Sequence, residues 1–241
     1  MTFGTFENKY IITGTIETID PIHIGTANEG LDPTQVDDPV IKDASGKPII
    51  PGSSLKGVIR STFETVMRGI GEEVCDVFEQ KKDVCVTDEF LKEIAGRGMS
   101  PELQAKLIYE KSCCACRLFG GRGFASKLQF KDCTFIGDKC IYEYRDGVGI
   151  DRETGAAKQG VKYDYEIVPK GSKFRFYMTA DNLDRSTDSN QKKYLDYLIR
   201  LLESGELCIG GKTSRGLGRI KLIGTDIKEI TLDSLKADLG F

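Results

Sequence analysis

The sequence predicts an α+β fold, an antiparallel sheet with helices on one face in the ferredoxin-like arrangement. Three observations lead there. The elements read in the order strand, helix, strands, helix, strand. The strand segments alternate apolar and polar residues, whereas two other segments repeat apolar residues at i, i+3 and i+4. The chain has 241 residues, 39% apolar and 29% charged, enough to close one elaborated domain (1–241) around a core.

Lys9 to Ile19, KYIITGTIETI, is rich in Thr and Ile and reads as the first strand, stopped by Asp20-Pro21. Pro39 to Ile50 reads as a hairpin turning at Ala44-Ser45-Gly46, and Pro51-Gly52-Ser53-Ser54 as a helix start with a hydroxyl cap. The helix that follows puts Leu55, Val58, Ile59, Thr62, Phe63 and Val66 on one face, with Lys56, Arg60 and Glu64 turned away. Residues 69–118 read as an insertion with one helix at about Pro101 to Glu110. Strand character returns at Lys127 to Ile136, and at Lys173 to Ala180, where phenylalanines alternate with polar residues. Between them, Gly147 to Gly171 is rich in Gly and charge and too long for a plain turn; such excursions are functional or disordered. A last amphipathic helix, Lys192 to Leu202, precedes a Gly-rich loop and a closing strand from Arg219.

The net charge of −3 argues against an unselective nucleic-acid binder, since such binding scales with the phosphates that Lys and Arg neutralise. The charge is uneven, however. Seven acids face two lysines between Gly71 and Phe90, while Lys111 to Lys131 holds five cations and no acid, so a local basic groove is compatible with the overall balance. No apolar run approaches a membrane span and the N-terminus lacks a signal-peptide pattern, so a cytoplasmic protein is expected. Its eight cysteines are then not expected to form a disulfide framework. Cys113 and Cys116 make a C-x-x-C that also contains Cys114, and Cys75 and Cys85 lie upstream; four thiolates from two loops would make a closed tetrahedral Zn2+ site. Whether Cys113 or Cys114 is the ligand is open from the spacing. Cys133, Cys140 and Cys208 sit in apolar, strand-like contexts and read as core.

Two segments, PIIPGSSLKGVIR (Pro48 to Arg60) and GGKTSRGLGRIKL (Gly210 to Leu222), put bare backbone amides beside Lys and Arg, the ingredients of a phosphate cradle. The second is not a nucleotide-binding P-loop. Gly205 is one residue out of register with Gly211-Lys212-Thr213, and the loop leads into a strand where a P-loop needs a helix. A longer phosphate polymer suits it better, and a plain strand connection is the alternative. His23, in IHIG, is the only histidine, which excludes acid–base work by a histidine pair.

Several stretches in family order carry a resemblance: IHIG (Ile22 to Gly25), DDPVIKDASGKPIIPGSSLKGVIRS (Asp37 to Ser61), CRLFGG (Cys116 to Gly121), IDRETGAAKQG with EIVPKGSKF (Ile150 to Phe174), and GGKTSRGLGRIKL. The chain resembles RAMP-superfamily backbone subunits of type III CRISPR effector complexes, nearest to the Csm and Cmr backbone proteins. The resemblance implies an RRM-like core, copies of which stack with other type III subunits along a guide crRNA. It implies a thumb hairpin, placed at 147–166, that kinks the duplex of guide and target RNA. It also implies a loop aspartate supporting metal-dependent cutting of the target, with Mg2+ or Mn2+. By position that aspartate is Asp37, with Asp38 adjacent. For RNA holding, Ser53, Ser54, Lys56 and Arg60 would line one phosphate site and Lys212, Thr213, Ser214 and Arg215 another, with His23 and Arg122 as further contacts. Two other readings stand beside the target-cutting one: a filament scaffold that positions target without cutting, and a stand-alone repeat-processing ribonuclease.

Overall fold

A computed structural model describes residues 4–26, 36–76, 84–184 and 191–240, with backbone alone at 158–161. In chain order the first half holds β1 (Asn8–Thr18), β2 (Ile49–Ile50), α1 (Gly52–Gly69), α2 (Asp88–Gly96), α3 (Pro101–Lys111), α4 (Cys114–Phe119), β3 (Leu128–Phe130) and β4 (Cys133–Phe135). The second half holds β5 (Glu143–Ile150), β6 (Ala157–Ile167), β7 (Lys173–Asp181), α5 (Gln191–Ser204), β8 (Leu207–Cys208), β9 (Arg219–Thr231) and α6 (Leu232–Leu239), with a short 3-10 turn at Thr213–Arg215.

The main sheet is antiparallel and seven-stranded, ordered β2-β4-β7-β1-β9-β8 with β3 also on β7. Its centre is β1, whose alternation buries Tyr10, Ile12 and Ile16 opposite Ala180, Met178 and Phe174 of β7. The ladder to β9 slips between Thr13 and Thr15. Gly224, at φ +62°, absorbs the extra residue, and a Cβ on Gly14 opposite would lie 2.9 Å from Leu222 Cδ1. Leu55, Ile59, Phe63 and Met67 of α1 and Leu195, Leu198, Ile199 and Leu202 of α5 close over this sheet in one core.

The start of α1 is as expected, but its cap is not. Pro51 takes the capping position, so Ser53 and Ser54 fall inside the first turn and neither caps the helix. The Gly52 amide donates instead to Asp132 Oδ1 at 2.8 Å. Only glycine fits there, because a Cβ would sit 2.5 Å from the Phe130 carbonyl oxygen. Asp132 lies where the expected strand 127–136 breaks into β3 and β4. The polar face of α1 also differs. Glu64 is buried, and Arg60 turns inward to meet it, Nε to Oε1 at 2.7 Å.

Among its described residues the insertion holds three helices rather than one. Thr87 caps α2 by accepting from the Phe90 amide at 3.2 Å, and Val86, Ile94 and Ile108 form a satellite core apart from the main one. The excursion after β4 is a two-stranded hairpin, β5 with β6, off the main sheet. Its pairing runs from Glu143↔Ile167 to Ile150↔Ala157, wider than the span 147–166. At its base Tyr165 and Ile167 are buried against Leu217 of the Gly-rich loop. The closing strand continues to Thr231, where a capping box with Ser234 starts α6, an element the sequence reading lacked. Among the described residues no helix is long and apolar enough to cross a membrane.

Candidate nucleic-acid interface and thiol cluster

Three of the conspicuous loops meet at the base of the hairpin. The Gly211 amide donates to the His23 carbonyl at 2.8 Å. Gly210, at φ +79°, packs so close that a Cβ would lie 2.1 Å from the same oxygen. The GGK segment is thereby laid directly on IHIG. The His23 ring is 3% exposed. Its Nδ1 faces the Glu166 carbonyl at 2.7 Å and its Nε2 faces Asp38 Oδ2 at 3.1 Å. Lys212 donates to the same Asp38 oxygen and lies 4.6 Å from the centre of the Tyr165 ring. Glu166, also buried, accepts from the Val40 amide at 3.1 Å and Lys42 Nζ at 2.9 Å, fixing the DDP loop to β6.

The two adjacent aspartates therefore differ. Asp38 is half-buried and held by Lys212 and His23. Asp37 is exposed and exchanges two hydrogen bonds with Asp164 of β6: the Asp164 amide donates to Asp37 Oδ2 at 3.0 Å, and the Asp37 amide to Asp164 Oδ1 at 3.2 Å. Among the described residues, no hydrogen bond is formed by Asp37 Oδ1. On the hairpin side, Arg215 Nη1 donates to Tyr163 Oη at 2.7 Å, while Thr213 and Ser214 are exposed beside it.

The other expected contacts lie elsewhere. Ser53 is exposed in the first turn of α1, next to the β2 edge of the sheet, whereas the Gly-rich loop follows β8 at the opposite edge. Asp132 already takes one of the helix-start amides. Burial, and then the neighbouring Arg60, hold the Lys56 ammonium below its ordinary range. Arg122 is paired with Asp88 at 2.6 Å. The basic run 111–131 does not form one stripe: Lys127 is buried on the Asn182 carbonyl and Gln191, and Arg117 is turned onto the carbonyls of Tyr109 and Glu110. Glu166, Asp164 and the tyrosines 163 and 165 were not singled out from sequence. Their signal was the alternation Tyr163-Asp164-Tyr165-Glu166, which sends aromatic and acid to opposite faces of a strand.

The insertion brings Cys75, Cys85, Cys113 and Cys116 together with all four sulfurs within 4.8 Å of one another. Cys75 Sγ lies 3.4 Å from Cys116 Sγ and 3.6 Å from Cys113 Sγ. A tetrahedral zinc with Zn–S of about 2.3 Å sets sulfurs about 3.8 Å apart, so the donor set could hold Zn2+. The adjacent Cys116 thiol holds Cys113 well below the ordinary thiol range, with Cys75 and Cys85 acting the same way. Cys114 is outside the group, packed on the main core, where burial and the neighbouring Cys113 push its thiol up to about 11. Cys133 and Cys140 are core, as expected, whereas Cys208 on the short edge strand β8 is only half-buried.

A family model described as the RAMP superfamily matches residues 15–221. Three curated relatives are each named CRISPR system Cms endoribonuclease Csm3. The protein from Methanocaldococcus jannaschii is 29% identical, covering 94% of this chain and 82% of its own length. That from Methanothermobacter thermautotrophicus is 26% identical, over 98% and 92%. That from Enterococcus italicus is 25% identical, over 97% and 98%.

Proposed function

This chain belongs to the RAMP superfamily, and from that membership we propose that it is a guide-RNA-binding backbone subunit of a type III CRISPR interference complex that cuts complementary target RNA at regular intervals. Relatives named as Csm3 endoribonucleases over nearly the full chain support the reading. So does the order β9-β1-β7-β3/β4, with α1 after β1 and α5 between β7 and β9, which is that of an RRM-like core. The β5–β6 hairpin is then the thumb, and exposed Tyr144, Val148 and Ile150 are the side chains it would offer to a kinked duplex. The guide crRNA, the target RNA, further copies of the chain and other type III subunits are the partners.

The observation that carries the proposal is the division of labour at the hairpin base. Lys212 neutralises Asp38, and with His23 on the same carboxylate the DDP loop is locked onto β6, which leaves the Asp37 carboxylate at the surface beside the hairpin. RNA brings its own nucleophile. Attack of a 2′-hydroxyl on the adjacent phosphorus, with loss of its proton to solvent, forms a 2′,3′-cyclic phosphate and expels the 5′-oxygen, which takes up a proton in turn. A kinked duplex can bring those atoms into line. Asp37, with Asp164 beside it, offers the hard oxygen donors that suit Mg2+ or Mn2+, and such an ion would supply charge neutralisation at the scissile phosphate. Arg215 and the exposed hydroxyls of Thr213 and Ser214 border the same surface and would hold backbone phosphates irrespective of sequence; Ser53, Ser54 and Lys56 would serve a second phosphate site. The thiol cluster holds a structural Zn2+ that anchors the insertion.

The test is a complex assembled with guide RNA, given labelled complementary RNA and magnesium, with wild type beside Asp37→Ala. Evenly spaced cuts in the wild type that disappear in the variant, with target still bound, are expected. Uncut target in both lanes would leave a scaffold that positions RNA without cleaving it.

A further inference from the structure

Arg60 sits in the segment that suggested a phosphate cradle, yet its guanidinium points away from solvent. Its three contacts form a fork. Nε donates to Glu64 Oε1 at 2.7 Å, Nη1 to the Gly120 carbonyl at 3.0 Å, and Nη2 to Cys116 Sγ at 3.5 Å. Cys116 is one of the four clustered thiols, and it is buried at 3% exposure. Gly120 closes the helix that carries it, the Gly120 amide donating to the Cys116 carbonyl at 2.9 Å.

We infer that Arg60 is a positioning residue for the metal cluster, orienting Cys116 and compensating thiolate charge, rather than a contact to RNA phosphate. The inference rests on the reading of the cluster as a zinc site. Four thiolates around Zn2+ carry a net charge of −2, and a buried anion of that size needs donors close by. A guanidinium is the fitting group, because its fixed fork can serve the sulfur and the carbonyl of the same turn while a carboxylate on its own helix steadies it. Arg68, about two helical turns further on, adds a second tie, Nη2 donating to the Cys75 carbonyl at 3.1 Å. Two ligand segments of the insertion are thus tethered to α1 by arginines at i and i+8, on the side of the helix that the amphipathic pattern assigned to solvent.

The full-length protein is loaded with Zn2+, and its affinity is measured by competition with a chromogenic chelator for wild type, Arg60→Met and Arg60→Lys. Arg60→Met keeps the stem packing and removes the charge and the fork. It is expected to weaken zinc binding about 10- to 100-fold, the range for loss of a partner behind a metal ligand, with Arg60→Lys between the two. In Co2+-substituted protein, Arg60→Met should also shift the thiolate charge-transfer band, which a merely destabilised fold would not move. If Arg60→Met does not fold, Arg60→Lys carries the same two measurements. Zinc affinity and cobalt spectrum unchanged in the variants, with wild type binding normally, would overturn the inference alone. Wild type that takes up no zinc would overturn the zinc reading with it. Unaltered zinc binding together with weaker, less salt-dependent binding of guide RNA would return Arg60 to the phosphate contacts.

Discussion

Asp37 and Asp38 are neighbours in sequence with opposite circumstances, and their substitution should separate chemistry from stability. Removing the Asp38 carboxylate leaves Lys212 and the buried His23 facing one another without their shared anion. Asp38→Ala is therefore expected to destabilise the protein by about 1–3 kcal/mol, the cost of leaving a partly buried polar group unpaired. Asp37→Ala, at an exposed position tied by two loop hydrogen bonds, should cost less than about 1 kcal/mol. Urea unfolding of the two variants measures the difference, and equal losses would contradict the division of roles drawn from the structure. The sequence pointed to both residues by position alone. It held nothing that distinguished them, because what distinguishes them is a lysine 174 residues away.

At the scale of elements, the hairpin shows what a turn needs to hold it. Asp151 closes it, Oδ1 accepting from the amides of Glu153 and Thr154 at 3.0 Å each. These backbone donors, Thr154 first, lower the Asp151 pKa from its ordinary 3.8. A carboxylate depressed in the folded state contributes its stabilisation fully above its unfolded pKa and loses it as pH falls through the folded one. The turn should thus be unchanged from neutrality down to about pH 4 and loosen below the ordinary Asp value of 3.8. Amide shifts of Glu153 and Thr154 followed by NMR would show this transition, and Asp151→Asn should abolish it. The helices of the insertion illustrate the limit of periodicity. Thr87-Asp88-Glu89 is a legible helix start and Phe90, Leu91 and Ile94 follow at helical spacing, but nine residues display little more than one repeat, and Cys114–Phe119 is too short to show any.

Across the whole molecule, the buried apolar side chains of the described residues fall into three clusters, one of them the small group of Tyr165, Ile167 and Leu217 at the hairpin base. The sheet and its two helices share the large one, whereas Val86, Ile94 and Ile108 supply the insertion with a small one of its own. On the proposed zinc reading, a satellite of that size would draw its order from the metal held by the thiol cluster. Removing zinc with a chelator should accelerate hydrogen exchange in Asp88–Gly96 and Pro101–Lys111 while amides of Asn8–Thr18 and Lys173–Asp181 remain protected. Uniform loss of protection would show that the metal supports the whole fold, and no change would show that the insertion stands without it.

By itself the sequence determined the order of the core elements (strand, helix, strands, helix, strand), the buried faces of α1 and β7, the start of α1, and the residue types available for metal and phosphate. These follow from patterns with periods of two or 3.6 residues, which a few neighbouring positions are enough to display. The tertiary structure decided the partners. It gave the first turn of α1 to Asp132 rather than to Ser53 or Ser54, Arg60 to Cys116 and Glu64 rather than to solvent, Arg122 to Asp88, and His23 to Glu166 and Asp38. Such pairings join segments as far apart as 143 residues for His23 with Glu166. They depend on which strands become neighbours and on where a buried charge finds its counter-charge, and no local period encodes either.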